Sequence, residues 1–72
     1  MSEPVVVDAK GLSCPQPILE TRKALSKIRE GTVEVLVDTV TSRENVARFA
    51  RNQGWKVYLE DHGDWHKVIL TR

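Results

Sequence analysis

Apolar and polar positions along this chain follow two different periods. Val5-Val6-Val7 is a β-branched run that ends at Asp8 and is broken by Ala9-Lys10-Gly11. It predicts a short strand entering a loop. Beyond the loop Ile18, Thr21, Ala24, Leu25 and Ile28 recur at helical spacing, with Arg22, Lys23, Lys27 and Glu30 mostly on other faces. This first helix starts at about Pro15 or Pro17 and runs to Arg29. Pro17 biases Gln16 away from the α region, which favours the later start. Glu30-Gly31 closes the helix, the glycine suiting a left-handed cap. Thr32 to Val37 then alternates, Val33, Val35 and Val37 against Glu34 and Leu36, as a strand with one better-buried face does.

Asp38-Thr39-Val40 turns the chain, and Thr41-Ser42-Arg43-Glu44 has the form of a capping box, with Thr41 as cap and Glu44 reaching back. Val46, Phe49 and Ala50 make the apolar stripe of a second helix that ends at Asn52-Gln53-Gly54. Trp55 to Glu60 reads as a third strand, Asp61-His62-Gly63-Asp64 as a polar turn, and Trp65 to Thr71 as a final strand. The order β-α-β-α-β-β predicts an α/β (α+β) two-layer sandwich, a four-stranded mixed sheet with two helices on one face. The first crossovers should join parallel strands and the last two strands should form an antiparallel hairpin. The opposite sheet face would stay open, and apolar residues on it, a tryptophan among them, would make a docking surface.

Composition narrows the class. With 72 residues, 40% hydrophobic and 29% charged, the chain suits one small domain spanning 1–72. A net charge of +1 gives no reason to expect nucleic acid or an acidic membrane as partner. One cysteine excludes an internal disulfide framework, and no cysteine pair is present to anchor zinc. The polar start Met1-Ser2-Glu3-Pro4 and the brief valine run fit neither a signal peptide nor a membrane span, so a reducing cytoplasm is the expected compartment.

That single cysteine, Cys14, sits in Gly11-Leu12-Ser13-Cys14-Pro15-Gln16-Pro17, at or just before the first helix. The free N–H groups and dipole of a helix N-terminus favour negative charge, so a thiol there ionises more readily, and the thiolate is the nucleophile. Pro15 and Pro17 carry no N–H, leaving those of Gln16, Ile18 and Leu19. The competing reading is an inert, packed cysteine acting as a small hydrophobe. Gly11 and Ser13 before it and prolines after it describe an exposed turn, which favours the reactive reading.

Other constellations are weaker. His62 and His66 are four apart across a turn and strand, which does not give the one-face geometry of a helical pair; solvated hairpin histidines explain them better than a metal site. Arg43, Arg48 and Arg51, with Lys56 nearby, could hold an anion, although a charged helix face in water is the simpler account. No nucleotide-binding glycine motif, serine triad or other cofactor site is legible, and no strong general base lies near Cys14 in sequence.

Val7-Asp8-Ala9-Lys10-Gly11-Leu12-Ser13-Cys14-Pro15-Gln16-Pro17 closely resembles the signature of the TusA-like (SirA/YedF-like) sulfur carriers, in which an Asp-Ala/Arg-x-Gly-Leu run leads into Cys-Pro-x-Pro at the first helix. The resemblance covers the whole chain, since the family has this element order and roughly this length. It implies that Cys14 carries a persulfide and that Pro15 and Pro17 shape the start of the helix. Members that feed tRNA thiolation resemble Asp-Asp-Pro after the second strand, where this chain has Asp38-Thr39-Val40. Glu44-Asn45-Val46-Ala47-Arg48-Phe49-Ala50 with Gln53-Gly54 is similar instead to the N-terminal domain of YedF-like proteins, which are associated with selenium metabolism and often carry a second, DsrE-like domain.

The expectation is a sulfur carrier or sulfurtransferase that loads Cys14 from a donor protein, a cysteine desulfurase or rhodanese-like protein. It would pass the sulfur to an acceptor protein thiol, with a DsrE-like protein among the candidates. Two alternatives come from other classes: an interaction module with an idle cysteine, which slow thiol labelling would reveal, and an RNA-binding domain, which steeply salt-dependent binding would reveal.

Overall fold

The computed structural model describes residues 5–11, 16–28 and 30–72, with Pro17 described by its backbone alone. Six elements follow in the expected order: β1 (Val5–Asp8), α1 (Gln16–Lys27), β2 (Thr32–Val37), α2 (Val40–Asn52), β3 (Lys56–Asp61) and β4 (His66–Thr71). The sheet order is β1-β2-β4-β3, with β1 parallel to β2 and β4 antiparallel to both β2 and β3. α1 lies over β1 and β2 and α2 over β3 and β4, with the helices also touching each other. The two-layer mixed sandwich is therefore present.

One expected pairing differs. The crossover through α2 does not place β3 beside β2, because β4 occupies the position between them. Hydrophobicity explains the choice. β4 offers Val68 and Leu70, both fully buried, and half-buried Ile69 on the other face, whereas β3 is exposed along most of its length. A strand apolar on both sides suits the interior of a sheet, and a charged one suits its edge.

The core lies between the sheet and the helices. Val33, Val35 and Val37 of β2 line up with Val68 and Leu70 of β4 under Ala24 of α1 and Val46, Ala47 and Ala50 of α2. Burying each of these valine and leucine side chains contributes roughly 1.5–3 kcal/mol before entropy is counted. Ile18, Leu25 and Ile28 pack against this cluster, so the helical stripe read from the sequence faces inward. On the open face, Val6 is 58% and Tyr58 55% exposed, flanking half-buried Leu36 and Ile69 and a Glu34–Lys67 ion pair at 3.5 Å. No tryptophan stands in its strand rows: Trp55 is buried to 4% exposure and Trp65 belongs to the β3–β4 turn.

Element ends also depart from expectation. α1 ends at Lys27 rather than Arg29, and Gly31 is not its cap. Gly31 instead exchanges both backbone hydrogen bonds with Arg72, at 3.0 and 3.1 Å, at a φ of +127° that glycine tolerates. Gln16 is helical despite the following proline. The first-turn N–H groups have no intrahelical acceptor, so the one Pro17 lacks is not missed there. α2 is capped by Thr39, not Thr41. Thr39 has extended backbone (φ −135°, ψ 151°), and its hydroxyl accepts from the N–H of Ser42. Glu44 then lies too far along to reach back, and it pairs with Arg43 at 3.2 Å.

Candidate functional site

Strands β1, β2 and β3 run in one direction, so their C-terminal ends share one end of the sheet. Loops at that end carry ligands and reactive groups in many open α/β sheets. Cys14 and Pro15, the residues singled out in the sequence, fall in residues 12–15, outside the described residues, and of Pro17 the structure gives only its helical backbone. What is described is the frame on either side of them, Gly11 where the loop leaves β1 and Gln16 where α1 begins.

That frame is held in several places. The N–H of Ala9 donates to the carbonyl of Leu36 at 2.8 Å, extending the β1–β2 pairing by one residue. Next, the Asp8 carboxylate accepts from the N–H of Lys10 at 3.1 Å, a local turn of the kind aspartate favours. Gly11, at a φ of +82° where a side chain would be strained, donates its N–H to Asp38 Oδ2 at 2.8 Å. Asp38 directly follows β2 and precedes the Thr39 cap. The root of the Cys14 loop is thus tied to the start of the other helix.

The β3–β4 turn closes on the same loop. Lys10 Nζ lies 5.3 Å from the ring centroid of Trp65, within cation–π range. Trp65 stacks on His62 at 4.2 Å with an interplanar angle of 10°, and His62 Nε2 is 3.0 Å from Glu60 Oε1. A second cluster lies at the same end of the sheet. Asp61 Oδ1 accepts from Arg43 Nη1 at 2.6 Å and sits 2.7 Å from His66 Nδ1. Hydrogen bonding from His66, then from Arg43, holds the Asp61 carboxyl below its ordinary value.

His62 and His66 therefore engage different carboxylates, and among the described residues no three His, Cys, Asp or Glu side chains gather as a metal-binding group. Nor do the arginines converge. Arg43 is committed to Asp61 and Glu44, Arg48 bonds Asn45, and Arg48 and Arg51 line a groove with Glu44 and Asn52. Lys56 lines a separate groove with Gly31 and Arg72. In the sequence Lys10 reads only as the variable position of the motif, Asp38 as part of a turn and Trp65 as the start of the final strand. Their links join positions far apart in the chain, and no local spacing encodes them. Among the described residues, no helix is long and apolar enough to cross a membrane.

Residues 5–72 match the family model described as Sulfurtransferase TusA. The chain is 43% identical over 67 residues to a Methanocaldococcus jannaschii protein designated a candidate sulfur carrier, covering 92% of this chain and 89% of that one. A Bacillus subtilis protein of the same designation is 32% identical over 74 residues, covering 100% of this chain and 99% of the relative. Among solved structures, a SirA-like protein of Desulfitobacterium hafniense superposes with a TM-score of 0.85 at 33% identity, covering 93% of this chain and 95% of that one.

Proposed function

The chain belongs to the TusA family, and from that premise we propose that it is a sulfur carrier that holds sulfane sulfur as a persulfide on Cys14. The Cys14 thiolate attacks the outer sulfur of a donor persulfide, R–S–SH. A new S–S bond forms to give Cys14–S–SH, the donor's S–S bond breaks, and the donor leaves as R–S⁻. An acceptor thiolate then attacks the outer sulfur of Cys14–S–SH and regenerates the Cys14 thiolate. No net oxidation occurs, and the exchange follows thiol–disulfide logic.

The observation that carries this reading is the position of the only thiol. Cys14 lies in the short segment between Gly11, anchored on Asp38, and Gln16, the first residue of α1. A helix start favours the anion that attacks, so the Cys14 pKa should lie below the free-thiol value of about 8.5. Pro15 and Pro17 shape the start of the helix in this reading. The single domain acts in the cytoplasm without a cofactor, between a persulfide-bearing donor of the cysteine desulfurase or rhodanese type and an acceptor protein thiol.

Incubation with a persulfide-loaded cysteine desulfurase should add the mass of one sulfur atom, removable by a reducing thiol. Cys14→Ser should add none while keeping its circular dichroism spectrum. Sulfur loading of the serine variant, or failure of the wild type with several donors, would overturn the assignment.

A further inference from the structure

β3 is an edge strand, and its outer backbone can be assigned. His62 N–H donates to the Trp65 carbonyl at 2.9 Å, and Gly31 and Arg72 exchange bonds on the β2 side of β4. Bonded pairs alternate along an antiparallel ladder. From both anchors the register gives the same answer: Lys56, Tyr58 and Glu60 bond toward β4, and the N–H and C=O groups of Val57, Leu59 and Asp61 point away from the sheet. The strand contains neither proline nor glycine, and it carries Tyr58 at 55% and Leu59 at 40% exposure. A long open edge bearing exposed apolar side chains is a template for another strand.

We propose that the occupant of this edge is a second copy of the chain, paired β3 to β3 in antiparallel fashion about Tyr58. The sequence Lys56-Val57-Tyr58-Leu59-Glu60 is self-complementary in that register. Lys56 faces Glu60 of the second copy, Val57 faces Leu59, and Tyr58 faces Tyr58. The outward-pointing residues Val57 and Leu59 then exchange N–H···O bonds directly. The tyrosines meet as a closely spaced, non-bonded pair, the arrangement in which cross-strand side chains approach best. Registers centred on Val57 or Leu59 put no acid opposite Lys56. Since each facing pair shares one side of the pleat, the two sheets join with all helices on the same side and the two open faces continuous. The edges left free are those of β1.

Sedimentation velocity of the full chain across micromolar to millimolar concentration should show a reversible dimer. Lys56→Glu alone or Glu60→Lys alone places like charges opposite each other twice and should weaken the dimer about tenfold. The doubly swapped K56E/E60K chain restores opposite charges and should recover the affinity. Both side chains are exposed, so circular dichroism should show each variant folded. A chain that stays monomeric throughout overturns the proposal. So does a dimer indifferent to the single substitutions, or one that the double swap fails to recover.

Discussion

The two helices of this molecule begin at the same end of the sheet and are led in by different sequence. α2 has a closed start: the Thr39 hydroxyl takes the Ser42 N–H, Arg43 is bound by Asp61, and Ser42 is buried. α1, whose first turn like that of α2 holds no acidic residue, is led in by a segment holding a lone cysteine between glycine and prolines. The two helix starts are not independent. Asp38, next to the Thr39 cap, directs its carboxylate to the N–H of Gly11 at the root of the α1 loop. A helix start can thus serve as a joint. Here the joint also supplies the acid that holds Gly11, where the segment leading into α1 begins.

Thr39→Ala attacks the joint and gives the largest expected effect on stability. Loss of an N-cap side chain costs about 1 kcal/mol, which lowers the melting temperature by roughly 4–8 °C in a domain of this size. Calorimetry should show that drop while sulfur loading of Cys14 per folded molecule is unchanged. An equal loss of loading would mean that both helix starts form one functional unit.

Asp38→Asn tests the tether between them. The amide is a weaker acceptor for Gly11, so stability should fall by less than in Thr39→Ala, because the bond is exposed. The rate of sulfur transfer, followed in stopped-flow with a small persulfide, should fall more than stability does. If transfer is untouched, the Gly11 tether does not position the loop.

The smallest effect at neutral pH is expected from Asp61→Asn, and its signature is in acid. Because the folded-state pKa of Asp61 is depressed, its contribution is present above the unfolded value of 3.8 and is lost as pH falls through the lower folded value. Urea melts across that window should show a shallower decline for Asp61→Asn than for wild type. Parallel curves would mean that the Arg43–Asp61–His66 cluster does not secure the start of α2.

How much of this is legible in the sequence depends on range. The valine alternation of β2 and the stripe of α1 are local patterns, and both face the core as expected. The capping box over Thr41 and Glu44 is also a local pattern, but Thr39 is as favoured an N-cap residue type as Thr41. The choice falls to Thr39 because α2 begins at Val40, with Thr39 directly after the Asp38 anchor. The place of β4 between β2 and β3 cannot be seen from order alone, since a hairpin strand can dock on either side. The Cys14 motif reads as candidate chemistry in the sequence alone, while the contacts at its described root, Asp38 with Gly11 and Trp65 with Lys10, are long-range and no spacing encodes them.

The central placement of β4 also bears on how the chain comes to be folded. β3 has no neighbour in the sheet except β4, and β2 reaches β3 only through it. During synthesis, everything up to β3 emerges before the strand that joins the sheet's two halves exists. At about 5–20 residues per second the earlier elements wait only seconds, but they wait without a complete core. The tight turn at Gly63-Asp64 keeps the β3–β4 pairing local in sequence, whereas the pairing of β4 with β2 closes a long loop. The sheet is therefore continuous only once β4 is in place.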